Sequence, residues 1–209
     1  MASKGQYNRK DRFFKAAKNE GFVARSAFKL EEIDHKWKFF KSGDWVLDLG
    51  CAPGSWLQYA AKKIGPKGRA LGIDLDPVRI NIETVTTWQG DLKELIDDTG
   101  KLLLFLGEKK QFDIIQSDAM TKTTGIAETD CARSIELVSV GLNIAKQGLL
   151  KSDGKFVAKI FEGPGFQEFT KEFKKHFQKT DFSKPEAVRK GSREVYILGL
   201  GFKGSQREG

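Results

Sequence analysis

The sequence predicts an α/β fold, a mostly parallel sheet with helices on both faces. Three observations carry this. Short apolar runs, several of them β-branched, alternate with longer stretches of helical period. Successive runs end on a glycine-rich turn or on an acid, as strands do where such a sheet opens to a ligand. No repeat, low-complexity tract or linker breaks the alternation, so one domain is expected over residues 1–209. Within it, residues 1–41 read as a basic helical extension packed on a core of residues 42–209.

Residues 11–20 place Phe13, Phe14 and Ala17 on one helical face among lysines, and SAFKLEEIDHKW (26–37) continues with Ser26 as N-cap. Trp45–Leu49 is the first strand, followed by the turn GCAPGS and the helix WLQYAAKKIG, which Gly65, Pro66 and Gly68 stop. RALGIDLDP and ETVTTWQGD are the next two strands. Residues 92–110 read as helical, FDIIQSD as the fourth strand and residues 130–150 as a helix. GKFVAKIFEG (154–163) is the fifth strand. Phe166, Phe169, Phe173 and Phe177 then form one helical stripe, which reads as core. EVYILGLGF is a last strand.

The composition narrows the function. A hydrophobic fraction of 39% over 209 residues is enough for a full core. No apolar run is long enough for a bilayer, and the N-terminus lacks a signal-peptide apolar region, so a cytoplasmic location without membrane association is expected. Cys51 and Cys131 form no CxxC pair and the two histidines are far apart, so no metal site is expected. Net charge is +8, but it is segregated: residues 1–41 and 145–209 each carry +6, and residues 42–144 carry −4. Basic ends fit a polyanionic partner, or simply a solvated basic surface.

DLGCAPGSW lies between the first strand and its helix. Gly50 and Gly54 permit close backbone approach, Ala52 keeps the loop lean and Pro53 stiffens it. This is not the dinucleotide fingerprint, since Ala52 and Ser55 stand where GxGxxG requires glycine, and no phosphate-loop GK[ST] is present. Asp74, Asp91 and Asp118 follow the second, third and fourth strands. Asp74 is placed to accept ribose hydroxyls and Asp91 an exocyclic amine, although Asp91 before LKEL also suits a helix cap. A ligand with adenine, ribose and a cationic centre fits these acids, and S-adenosylmethionine has all three. Lys159 is a charge inside an apolar strand and needs compensation. An ion pair with Asp118 alone would supply it.

Lys29, Asp118, Lys159 and Glu194, taken with DLGCAPGSW, QSDAM, FVAKIFEG and SREVYIL, resemble the FtsJ/RrmJ family of RNA ribose 2′-O-methyltransferases, from about Asp11 to Phe202. The resemblance implies a Rossmann-like sheet of seven strands with the last antiparallel. It implies that Lys29, Asp118, Lys159 and Glu194 surround the target hydroxyl. Lys159 there would act as a neutral base or as a charged stabiliser steered by Asp118, and the nearby carboxylates of Asp118 and Glu194 favour the charged role. It implies that Gly54, Trp56, Asp74, Asp91 and Asp118 line an S-adenosylmethionine pocket, to which the reading of the turn adds Gly50, Ala52 and Pro53. The implied substrate is RNA: a uridine of large-subunit ribosomal RNA first, a tRNA anticodon loop or an mRNA cap as alternatives. A catalytically inactive RNA-binding module is the competing class. The stretch Ala119-Met120-Thr121-Lys122 lacks the proline and asparagine usual after the family's aspartate. RNA contact falls to Arg9, Lys10, Arg12, Lys15, Lys18 and Arg25, with Lys184, Arg189, Lys190 and Arg193, and a monomer is expected.

Overall fold

The structure, a computed structural model, describes residues 4–121, 123–189 and 191–204. Of the basic residues assigned to RNA, Lys190 lies outside these, as do the side chains of Arg9 and Lys10.

Helices α1 (Lys4–Asn19) and α2 (Ala27–Trp37) precede β1 (Trp45–Leu49), α3 (Ser55–Ile64), β2 (Arg69–Asp74) and β3 (Val85–Gln89). Short helices α4 (Glu94–Asp97) and α5 (Gly100–Leu106) lead to β4 (Phe112–Ser117) and α6 (Ala127–Ile144). β5 (Leu150–Phe161), α7 (Phe166–Lys175), β6 (Phe177–Ser183) and β7 (Glu194–Phe202) complete the chain. The seven strands form one sheet in the order β3-β2-β1-β4-β5-β7-β6. β1 through β5 pair in parallel, and β7 runs antiparallel between β5 and β6.

Strand alternation divides the core in two. Val46, Ile114 and Val157 face a cluster closed by α1, α2 and α3, with Ala17, Leu30, Ile33 and Leu57. Leu47, Ile115 and Phe156 face the other cluster, closed by α5, α6 and α7 with Leu102, Val138 and Phe173. No helix among the described residues is long and apolar enough to cross a membrane.

Several elements differ from the sequence expectation. The stretch 92–110 is not one helix: Asp98 accepts the Gly100 N–H at 2.8 Å and the chain turns there. The helix expected over 130–150 ends at Ile144, then widens into a π-turn over residues 145–149, where Gly148 takes a left-handed φ of 88°. β5 begins at Leu150, with a register shift opposite Phe112 and Ile114. β6 occupies residues that the residue pattern did not mark as a strand, and Phe177 opens it rather than closing α7. Ser26 precedes α2 but its hydroxyl caps nothing; it lies 2.7 Å from the Ser55 hydroxyl.

The strand order reverses between β1 and β4, where Leu49 is in register with Ser117. The carboxyl ends of these two strands are the usual ligand position of such sheets.

Candidate active site

The turn after β1 is tightly set. Gly50 has φ 72°, and a Cβ there would lie 2.3 Å from the Cβ of Ala119, in the turn after β4. Only glycine lets the two turns approach this closely. Gly50 and Cys51 both donate backbone N–H groups to the Ile73 carbonyl, at 2.8 and 3.3 Å. Asp74, ending β2, accepts the Ala52 N–H at 2.8 Å on one oxygen and the Asp76 N–H at 2.9 Å on the other. Each oxygen keeps a lone pair for a ligand hydroxyl.

A cavity of about 300 Å³ opens over this turn. Gly50, Ala52, Asp74, Asp76, Asp91 and Asp118 form its polar side, and Leu75, Leu92, Met120 and Leu137 are among its apolar lining. Among the described residues its lining has four carboxylates and no lysine or arginine. This set fits S-adenosylmethionine: a carboxylate for the ribose, apolar walls for a purine and negative charge for a cationic centre. Asp91 does two things at once, since it lines the cavity and accepts the Lys93 N–H at 2.9 Å ahead of α4. Pro53, Gly54 and Trp56 are not among the lining residues. Trp56 is 2% exposed; its indole donates to the Ser26 carbonyl at 2.9 Å and its ring lies 5.7 Å from that of Tyr196.

Beside the cavity, Lys29, Asp118, Lys159 and Glu194 come together although up to 165 residues separate them. The sheet explains this. Antiparallel pairing sets Lys159 opposite Tyr196 and Phe161 opposite Glu194. Lys159 alternates with Ala158 and Ile160, which face the other cluster, so its side chain leaves the sheet on the α2 side. There it meets Asp118 from the turn after β4, and Lys29 from the first turn of α2 approaches the same carboxylate oxygen.

The lysine in the strand is therefore compensated. Its ammonium donates to the Asp118 carbonyl at 2.5 Å and lies 3.0 Å from Asp118 Oδ1. Lys29 donates to Glu194 Oε1 at 2.6 Å and to the Tyr196 hydroxyl at 2.9 Å, and stands 3.9 Å from Asp118 Oδ1. Two cations thus meet two carboxylates. Burial works to raise the Asp118 pKa, but the Lys159 and then the Lys29 ammonium, with the Tyr196 hydroxyl, outweigh it and hold the carboxyl below its usual range.

Tyr196 joins the set without having been singled out in the sequence. Its oxygen lies 2.7 Å from Asp118 Oδ1 and 2.8 Å from Glu194 Oε1. With one proton, it donates to one carboxylate at a time while accepting from Lys29. Burial, then the charges of Asp118 and Glu194, push its phenol well above the usual range, so it remains a donor. The signal was available: Tyr196 stands two residues after Glu194 on a strand, hence on the same face. Among the described residues, no group of three or more His, Cys, Asp or Glu side chains has metal-holding geometry.

The FtsJ-like methyltransferase family model matches residues 22–202. Ribosomal RNA large subunit methyltransferase E of Bdellovibrio bacteriovorus is 48% identical over 198 residues, covering 94% of this chain and 99% of the relative. The protein of the same name from Methanocaldococcus jannaschii is 38% identical over 203 residues, 96% of this chain and 82% of the relative. Among solved structures, a Plasmodium falciparum chain described as a ribosomal RNA methyltransferase superposes with a TM-score of 0.77 at 29% identity, covering 88% of this chain and all of that one.

Proposed function

The chain belongs to the FtsJ-like methyltransferase family, and we propose that it transfers a methyl group from S-adenosylmethionine to a ribose 2′-hydroxyl of large-subunit ribosomal RNA, with Lys29, Asp118, Lys159 and Glu194 around that hydroxyl. The observation that carries this reading is the union of two cations and two carboxylates beside an acid-lined cavity at the switch point of the sheet.

Asp74, Asp91 and the turn Gly50–Ala52 would hold the cofactor, which supplies a methyl group on a positively charged sulfur. Lys159 is read as an ammonium: two of its N–H groups have acceptors on Asp118, and the third remains for the attacking oxygen. Lys29 and Glu194, joined at 2.6 Å, would fix the ribose, since placing the oxygen on line is worth up to ~7–11 kcal/mol of barrier. As the new O–C bond forms in place of the donor's S–C bond, the hydroxyl would give its proton to the nearest carboxylate or to water in the same step, so that the oxygen carries partial negative charge for the Lys159 ammonium to stabilise. A 2′-hydroxyl requirement selects RNA over DNA. Ribosomal RNA as substrate rests on what the relatives are named for, and implies work in the cytoplasm.

The test is transfer of labelled methyl to ribosomal RNA, followed by mapping of 2′-O-methyl positions in cells with and without the protein. Lys159→Ala is expected to fold and bind cofactor while losing roughly 10²–10³ in turnover, the scale of removing one oxyanion stabiliser. Wild-type turnover in that variant, or label on tRNA or a cap instead of ribosomal RNA, would displace the reading.

A further inference from the structure

Helix α1 buries one side and leaves a phenyl ring off it. Phe13 and Ala17, one turn apart, face inward: the Phe13 ring lies 5.8 Å from that of Phe28, and Ala17 is 2% exposed. Phe14, the next residue, is 64% exposed. The Arg12 guanidinium lies 5.2 Å from the centre of the Phe13 ring, whereas no ring or cation among the described residues lies over that of Phe14. A single exposed apolar side chain is ordinary on a protein surface. The surroundings of this one are not. Over Lys4–Asn19 the helix carries six basic residues and one acid, Asp11. Arg12, Lys15 and Lys18 are exposed, and Lys18 stands one turn from Phe14 on the same face. An open aromatic face among cations is how single-stranded nucleic acids are held: the cations take phosphates and the ring takes a base.

The helix also flanks the four charged side chains. Phe28, on which Phe13 packs, precedes Lys29 in α2, and Phe22 joins the same ring cluster at 5.9 Å from Phe28. We propose that Phe14 is a stacking platform for one unpaired base of the substrate RNA, on the strand that brings the target ribose to Lys29. This rests on the reading of the chain as an RNA methyltransferase. In a continuous duplex both faces of each base are covered by its neighbours, so the ring selects a single-stranded or looped segment. Ring and cations divide the work. Lysine and arginine supply affinity that salt weakens, and the stack supplies a share that salt leaves nearly unchanged. RNA is favoured over a protein as the occupant because the cations around the ring attract a polyanion.

The test is filter binding of the full chain, across a salt series, to a mixed-sequence single-stranded RNA, to the same strand annealed to its complement, and to large ribosomal subunits. Phe14→Ala should lose roughly 5–100-fold in affinity for the single strand, the scale of one base–aromatic stack, at an unchanged log–log salt slope. On the duplex it should match the wild type. Phe14→Trp should bind the single strand at least as tightly as the wild type, and Phe14→Leu, apolar without a ring, should bind like Phe14→Ala. The ring is exposed and alanine is the better helix former, so Phe14→Ala keeps the fold. Wild-type affinity in Phe14→Ala, or full affinity in Phe14→Leu, overturns the proposal and leaves the methyltransferase reading standing. Equal losses on single strand and duplex overturn it as well. If Phe14→Ala weakens binding to ribosomal subunits alone, the ring meets a protein and the proposal falls. A wild type that neither binds RNA nor labels ribosomal RNA from methyl-labelled S-adenosylmethionine overturns both.

Discussion

A carboxylate that accepts from a phenol at 2.7 Å and faces a buried ammonium at 3.0 Å is held ionised by both, and Asp118 is in that position. Its pKa is lower in the fold than in the unfolded chain despite burial. The stabilisation this gives is complete above the unfolded value of about 4 and is lost as pH falls through the folded one. Denaturant titrations of wild type and Asp118→Asn should therefore differ most at neutral pH and converge in acid. A gap that widens in acid would contradict the geometry. Tyr196 acts through the same carboxylate. Tyr196→Phe takes a partner from Lys29, Asp118 and Glu194 together. It should cost about 1–2 kcal/mol of stability. Turnover should fall roughly 10–100-fold with little change in cofactor affinity, because the residues around the ribose lose alignment. Single-turnover rates beside cofactor titrations check both halves.

Pairing of β5 with β7 is what turns distant residues into neighbours, and β6 is packed on the outer side of β7. Gly199 of β7 lies under Phe177 of β6: a Cβ there would meet three carbons of that ring at 2.6 Å. Gly199→Ala should cost about 1–3 kcal/mol by overpacking, seen as a lower denaturant midpoint at unchanged slope. No loss of stability would mean that the ring is free to leave the place where Phe173, Phe156 and Phe202 surround it, at 4.7, 6.0 and 5.4 Å. This contact also explains what the sequence concealed. Phe177 continues the phenylalanine stripe of α7 at helical spacing, so β6 opens on a residue that reads as helix. Its partly exposed interior offers no apolar run. The central strands were legible because burial on both faces favours apolar residues at consecutive positions, as at Ile114-Ile115 in β4 and Phe156-Val157-Ala158 in β5. Residues 92–110 misled because the apolar run LLLFL outweighed Gly100, the one residue marking the break. At the site, Asp74, Asp91 and Asp118 were legible from their places at strand ends, whereas Lys29 and Glu194 carried no local signal and came from the family resemblance. The resemblance also assigns Trp56 to the cofactor, and its side chain is buried against Ser26 and Tyr196.

At the scale of the molecule, the two basic ends of the chain meet on one side. The loop between β6 and β7 is tied to α2 where the Glu186 N–H donates to Glu32 at 2.8 Å, and Val188 is buried in the cluster that α1, α2 and α3 close. Lys184 and Arg189 of that loop are exposed, as are Arg12, Lys15 and Lys18 of α1, while Lys29 and Glu194 lie between the two elements. The acidic middle of the sequence supplies the cavity proposed for the cofactor instead, through Asp74, Asp76, Asp91 and Asp118. On the proposed reading, charge segregation along the chain becomes separation of two functions in space: a basic face suited to a polyanion and an acidic cavity suited to a cation, with the four charged side chains beside the cavity. Two surfaces so divided respond to different substitutions. Charge reversal at Lys15, Lys18 and Arg189 should weaken RNA binding by more than about tenfold and flatten its salt dependence, by ~0.7–0.9 in log–log slope for each phosphate no longer neutralised. Affinity for S-adenosylmethionine should stay within error, because none of the three lines the cavity. Filter binding across a salt series, with cofactor calorimetry on the same preparations, measures both. Unchanged RNA affinity and slope would place the RNA on another face, and a parallel loss of cofactor binding would mean that the two surfaces are not separate.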